Sequence, residues 1–254
     1  MTVIEQGILA STLAGLATGV GALPAIFFKS VPDKVMNTML GGAAGVMLAA
    51  TSFSLIVPGI ESGESLWPGY GVYVVVIGML VGAIFLDRID KWLPHEHFFS
   101  GPEGPSSQMK RIWLFIIAIT IHNFPEGLAV GVGFGAGDIG SATSLAIGIG
   151  LQNMPEGLAV ALPLLGLGYS RFQAIGIATL TGLVEPIGGL LGVGAVTMFN
   201  PVLPFGLAFA AGAMLFVISD EIIPETHSKG KSRLATFGVM IGFVIMMGMD
   251  NLLG

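Results

Sequence analysis

The sequence predicts an all-α, polytopic membrane protein: eight transmembrane helices forming one transporter-sized domain over residues 1–254. Three observations predict it. Apolar residues make up 53% of the chain and charged residues only 10%, against roughly 25% charged in soluble globular domains. The apolar residues fall in continuous runs near the 20 or so that a bilayer core about 30 Å thick demands of a helix. Membrane barrel strands would instead alternate over about ten residues. Finally, an eight-span arrangement places every Lys and Arg on one side of the membrane.

Taken in order, the spans cover 5–28, 35–60, 69–93, 112–135, 142–166, 172–198, 202–223 and 233–253. The first has Glu5 and no Lys or Arg ahead of it, which speaks against a cleaved signal peptide. The second ends before Glu61 and Glu64, outer-face acids able to attract cations by their local field. Trp67, Trp92 and Trp113 lie at span ends and read as interface anchors. Residues 94–111, rich in Pro, Gly and Ser, read as a cytoplasmic linker between spans three and four. The pairs Gly41/Gly45, Gly78/Gly82 and Gly188/Gly192 are spaced four apart, which lets helices approach closely in lipid.

Lys29, Lys34, Arg88, Lys91, Lys110, Arg111, Arg171, Lys229, Lys231 and Arg233 are the ten basic residues. All occupy alternate loops and span ends on one face, whereas Glu5, Glu61, Glu64, Asp138 and Asp250 occupy the other. The positive-inside rule puts the basic face in the cytoplasm and both termini outside. The net charge of −6 excludes the clustered basic surface of a nucleic-acid binder. With no cysteine in the chain, thiolate metal sites and disulfides are excluded.

One internal repeat carries the chemistry. His122-Asn123-Phe124-Pro125-Glu126-Gly127-Leu128-Ala129-Val130 returns as Gln152-Asn153-Met154-Pro155-Glu156-Gly157-Leu158-Ala159-Val160, identical at seven of nine positions. Both copies start ten residues into spans of opposite direction, so they face each other near the bilayer midplane. Transporters build substrate sites at such inverted repeats. An ionisable side chain there costs at least ~2.5–3.5 kcal/mol, and Glu185 in span six adds a third acid. With no basic partner at that depth, the three carboxylates must be protonated or bind a cation.

At about 100° per residue, His122 and Asn123 project to either side of Glu126, and Gln152 and Asn153 flank Glu156. This outlines two adjacent cation sites bridged by carboxylates. The first uses His122, Glu126, Gln152 and Glu156. The second uses Asn123, Glu126, Asn153, Glu156 and Glu185. Imidazole with oxygen ligands suits Zn2+, Fe2+, Mn2+ or Cd2+, and the lack of thiolates argues against Cu(I). Pro125 and Pro155 release the carbonyls of Ile121 and Leu151 beside the ligands. Asp220 and Glu221, at the inner end of span seven, form a candidate cytoplasmic release path. His95, Glu96, His97, Glu225 and His227 are secondary candidates near it.

On these residues the chain resembles the ZIP (Zrt-/Irt-like) family of divalent metal transporters, over essentially its whole length. The paired motif carries the resemblance. It implies a bridged two-metal site, uptake into the cytoplasm across the cell (inner) membrane, a homodimer, and a three-two-three inverted repeat whose bundles slide to alternate access. His122, Asn123, Glu126, Gln152, Asn153, Glu156 and Glu185 match the family's ligand positions. Met47 stands where a weaker thioether ligand is expected. Gln152 replaces the commoner His, resembling a bacterial branch and bearing on metal selectivity. The implied substrate is Zn2+, with no catalytic cofactor. Two other classes stay open on the residues alone. One is an intramembrane metalloenzyme, disfavoured because H-E-x-x-H is absent. The other is a proton-coupled carrier of an organic solute.

Overall fold

A computed structural model describes residues 1–92, 108–227 and 232–253. Eight helical spans are long and apolar enough to cross a membrane: α1 Val3–Ile26, α2 Asp33–Leu66, α3 Gly71–Trp92, α4 Gln108–Gly135, α5 Ile139–Gly166, α6 Arg171–Met198, α7 Asn200–Ile222 and α8 Ser232–Leu253. Local signals explain their starts. Thr2 forms a capping box with Glu5, Ser170 does so with Gln173, and Asp138 accepts from the amides of Gly140 and Ser141. The Ser141 hydroxyl and these amides hold the Asp138 carboxyl below its usual range. Helix α4 begins by Gln108, so the linker expected over 94–111 is helical in its last four residues. Its other residues, with His95, Glu96 and His97, lie outside the described residues up to Ser107.

The helices pack as two groups. Helix α1 lies against α4, α5 and both halves of α6, while α2 pairs with α8 and α3 with α7. These pairings exchange when α1, α2, α3 and α4 are swapped for α6, α7, α8 and α5: α1–α5 becomes α6–α4, and α2–α8 becomes α7–α3. The packing therefore has the symmetry of the three-two-three inverted repeat.

Glycines set these seams, because association in lipid relies on close packing. Gly41 and Gly45 meet the α8 backbone at Ala235 and Val239, and Gly82 meets that of α7 at Phe209. Gly188 meets α4 at Phe124. All three glycine pairs seen in the sequence lie on such seams.

The two symmetry mates α2 and α7 share a device the sequence analysis did not anticipate. Ala50–Ile56 in α2 and Ile218–Ile222 in α7 are wound as π-helix. A proline follows each by two residues, Pro58 and Pro224. Proline supplies no amide proton and crowds the carbonyl four residues back, which favours a widened turn. Such segments are frequent at functional sites.

The second departure is in α6, where helix stops at Gly182 and restarts at Glu185. Pro186 sits in the first turn of the new segment, where its missing amide is no loss. By contrast α4 and α5 run helical straight through Pro125 and Pro155. The interrupted helix is thus the one carrying the third carboxylate.

Candidate metal centre

His122 and Gln152 fall near the midpoints of two 28-residue helices, which lodges both motif copies deep inside the protein. His122, Asn123, Glu126, Gln152, Asn153, Glu156 and Glu185 are all buried, with Glu126 1% and Glu185 0% exposed. No Lys or Arg occurs between Arg111 and Arg171, or between Arg171 and Lys229. The Lys and Arg of α4 and α6 therefore lie at the ends of those helices, several turns from the carboxylates.

The motif glycines bring the helices together. A methyl group at Gly127 would collide with the Glu185 carbonyl, and one at Gly157 with that of Thr18 in α1. One residue beyond each glutamate, then, the backbone touches its neighbour directly. That contact holds the Glu185 segment against the first copy and α1 against the second.

Hydrogen bonds organise half of the cluster. The Asn153 amide donates to Glu185 Oε1 at 2.6 Å and to the Ala14 carbonyl of α1 at 2.9 Å. Asn153 Oδ1 accepts from Gln152 Nε2 at 2.7 Å. Glu185 is also the first residue of its half-helix, where the positive end of the helix dipole favours a carboxylate. Several other atoms of the cluster make no protein hydrogen bond. Both Glu126 oxygens, both Asn123 side-chain polar atoms, Gln152 Oε1 and Glu185 Oε2 are buried and have none. A buried polar group in that condition costs about 1–3 kcal/mol. A cation among these oxygens would satisfy them together.

His122 has a partner outside this cluster. Its Nε2 lies 2.9 Å from Glu221 Oε1 in the π-helical stretch of α7, with both side chains largely buried. This contact crosses from the α1/α4/α5/α6 group to the other. Asp220, the neighbouring candidate, is exposed and lines a groove between α3 and α7 with Met79 and Phe216. Met47 is 1% exposed inside an apolar cluster with Leu145, Ile149 and Met214. Among the described residues, no three His, Asp or Glu side chains form a metal-holding group by themselves. Any ligand set drawn from this cluster must include the amides.

Some secondary candidates take structural roles. Glu64 accepts from the Gly69 and Gly71 amides and so closes the α2–α3 turn. The His227 ring nitrogens contact the Ile223 carbonyl and the Thr236 hydroxyl, joining the short helix Ile223–His227 that follows α7 to α8. The Trp113 indole donates to the Tyr169 hydroxyl at 3.2 Å. The side chains of Trp92 and Glu225 lie outside the described residues.

Sequence reasoning missed the contribution of α1, whose Ala14 carbonyl and Thr18 backbone back the site. The signal was a face of small residues, Ser11, Ala14, Gly15, Thr18, Gly19 and Ala22, all buried. It also missed that Glu221 reaches His122. Replacing Glu221 with Gln is expected to lower transport about 10–100-fold. Zinc-uptake kinetics check this, and wild-type rates would remove Glu221 from the pathway.

Comparison with known proteins agrees with this architecture. The family described as ZIP zinc transporter matches residues 100–250. Zinc transporter GufA of Myxococcus xanthus is 45% identical over 98% of this chain and 99% of its own. Zinc transporter ZIPB of Bordetella bronchiseptica is 42% identical over 99% of this chain and 82% of its own. Human zinc transporter ZIP11 is 36% identical over 99% and 98%. Membership makes the chain a transporter, which removes the metalloenzyme reading. With its eight spans, its paired motif and relatives matched from end to end, the chain belongs to the ZIP zinc transporter family.

Proposed function

We propose that this protein carries zinc across the cell (inner) membrane into the cytoplasm, through a midplane site in which Glu126 and Glu156 bridge two metal ions. The observation that carries this reading is the buried cluster of three carboxylates, two asparagines, a glutamine and a histidine, several of whose oxygens have no protein hydrogen bond. His122, Glu126, Gln152 and Glu156 serve one ion. Asn123, Glu126, Asn153, Glu156 and Glu185 serve the other.

In the hydrogen-bonded state described above, Asn153 Oδ1 holds Gln152 and the Asn153 amide holds Glu185. Metal binding would exchange these contacts for coordination, since a carbonyl oxygen can accept from an amide or ligate a cation. Imidazole, carboxylate and amide ligands admit Zn2+ together with Cd2+, Fe2+ and Mn2+. Zinc is favoured because the relatives are named zinc transporters. Met47 adds a thioether from α2 after a shift toward the site, and Asp220 and Glu221 continue the route inward. The segregation of basic residues supports placing both termini outside, and movement toward the cytoplasm is what the family resemblance implies. The assembly is a homodimer, as in the family.

The test is zinc uptake into proteoliposomes by the wild type, His122→Ala and Glu156→Ala. The expected result is uptake by the wild type and loss of at least about 100-fold in both variants. Uptake at the wild-type rate in both would overturn the site assignment.

A further inference from the structure

We infer that the cavity at the cytoplasmic ends of α2, α4 and α5 is the compartment into which the metal is released, and that an apolar plug centred on Leu40 and Phe115 is the gate between it and the midplane site. The inference rests on the proposed direction of transport and adds the inner gate to it.

The cavity is about 240 Å³. Lys29, Asp33 and Asn37 line its polar part, and Leu40, Phe115 and Ala159 its apolar part. The helical register ties that apolar end to the metal cluster. Phe115 precedes His122 by seven residues and Leu40 precedes Met47 by seven, while Ala159 follows Glu156 by three. Seven residues are nearly two full turns, so Phe115 shares a face with His122 and Leu40 with Met47, each about 10 Å nearer the cytoplasm, and Ala159 lies about 5 Å nearer than Glu156. Ile119 occupies the intermediate turn of α4.

Leu40, Phe115, Ile119 and Ala159 are 6–8% exposed and pack in one apolar cluster. The route from the cluster is therefore polar, then dry, then polar again. An apolar constriction of that kind stops an ion by excluding its water. Leu40 belongs to the α2 group and the other three to the α4/α5 group, so sliding of one group past the other parts the plug. At the mouth, Asp33 and Asn37 offer oxygen ligands for the emerging ion. Lys29 keeps the local affinity low, as release requires.

The chain contains no cysteine, which permits a direct test. Single cysteines are introduced at Asn37, in the cavity, and at Ala43, which is 3% exposed on α2 between Leu40 and Met47. A membrane-impermeant thiol reagent is applied to the cytoplasmic face of oriented vesicles. Asn37→Cys is expected to label quickly and Ala43→Cys slowly. Adding Phe115→Ala should speed labelling of Ala43→Cys at least about tenfold while leaving Asn37→Cys unchanged. The opposite change, Phe115→Trp, should slow zinc uptake about tenfold with zinc binding by the purified protein retained.

An unchanged rate at Ala43→Cys in the Phe115→Ala background would overturn the gate, as would Phe115→Trp transporting at the wild-type rate. The labelling needs no metal, so it is read separately from the cargo. Absence of zinc uptake by the wild type would overturn the proposed function instead.

Discussion

Glu126→Gln is expected to abolish zinc uptake while leaving the metal-free protein at least as stable as the wild type. Glu126 belongs to both proposed metal positions, and its two oxygens are buried without a protein hydrogen bond. Its carboxylate is therefore a burden on the fold that a cation or a proton relieves. Glutamine keeps the shape and removes the charge, so the desolvation penalty of a buried ion disappears. Uptake should fall at least about 100-fold. Saturating zinc should also lose its stabilising effect, which is about 2.7 kcal/mol at one hundred times the Kd. Thermal melting with and without zinc, beside uptake rates, checks both parts. A variant that still transports, or that unfolds without metal, contradicts the role given to Glu126.

The second large effect concerns a residue with no chemistry. Gly127→Ala should destabilise the protein by about 1–3 kcal/mol through overpacking and reduce transport with it. The added methyl would meet the Glu185 backbone, where flexible side-chain movement offers no relief. The fitting control is Gly194→Ala in the second half of α6. Nothing lies within 4 Å of the methyl introduced there, and alanine in a helix interior gains about 0.8–1.0 kcal/mol over glycine. Opposite shifts in melting temperature are therefore expected from the same substitution. Equal shifts would show that the α4–α6 seam is not set by backbone contact.

These two residues also show what a sequence makes legible. Glu126 stands out in the sequence because its motif is duplicated, acidic and mid-span, and the structure buries it. Gly127 was visible as part of the motif, but its purpose depends on Glu185, fifty-eight residues away. Span positions were legible because continuous apolar runs and one-sided basic residues are local or additive properties. The described helix bounds moved by several residues, most at α2, which runs on to Leu66.

What stayed hidden depends on contacts between distant segments. The π-helical stretches follow from Pro58 and Pro224, yet a proline alone does not distinguish a kink from a widened turn. The Glu221–His122 contact joins α7 to α4 across the two helix groups, and no spacing rule reports it. Helix α1 looked like an ordinary span because its polar role is a backbone carbonyl, which carries no residue signature.

The most direct measurement of the central proposal is the zinc stoichiometry of the purified, metal-stripped protein at equilibrium. The bridged reading predicts two midplane zinc ions per chain in the wild type and loss of both in a Glu126→Gln, Glu156→Gln double variant. Undiminished zinc binding by the double variant would contradict it.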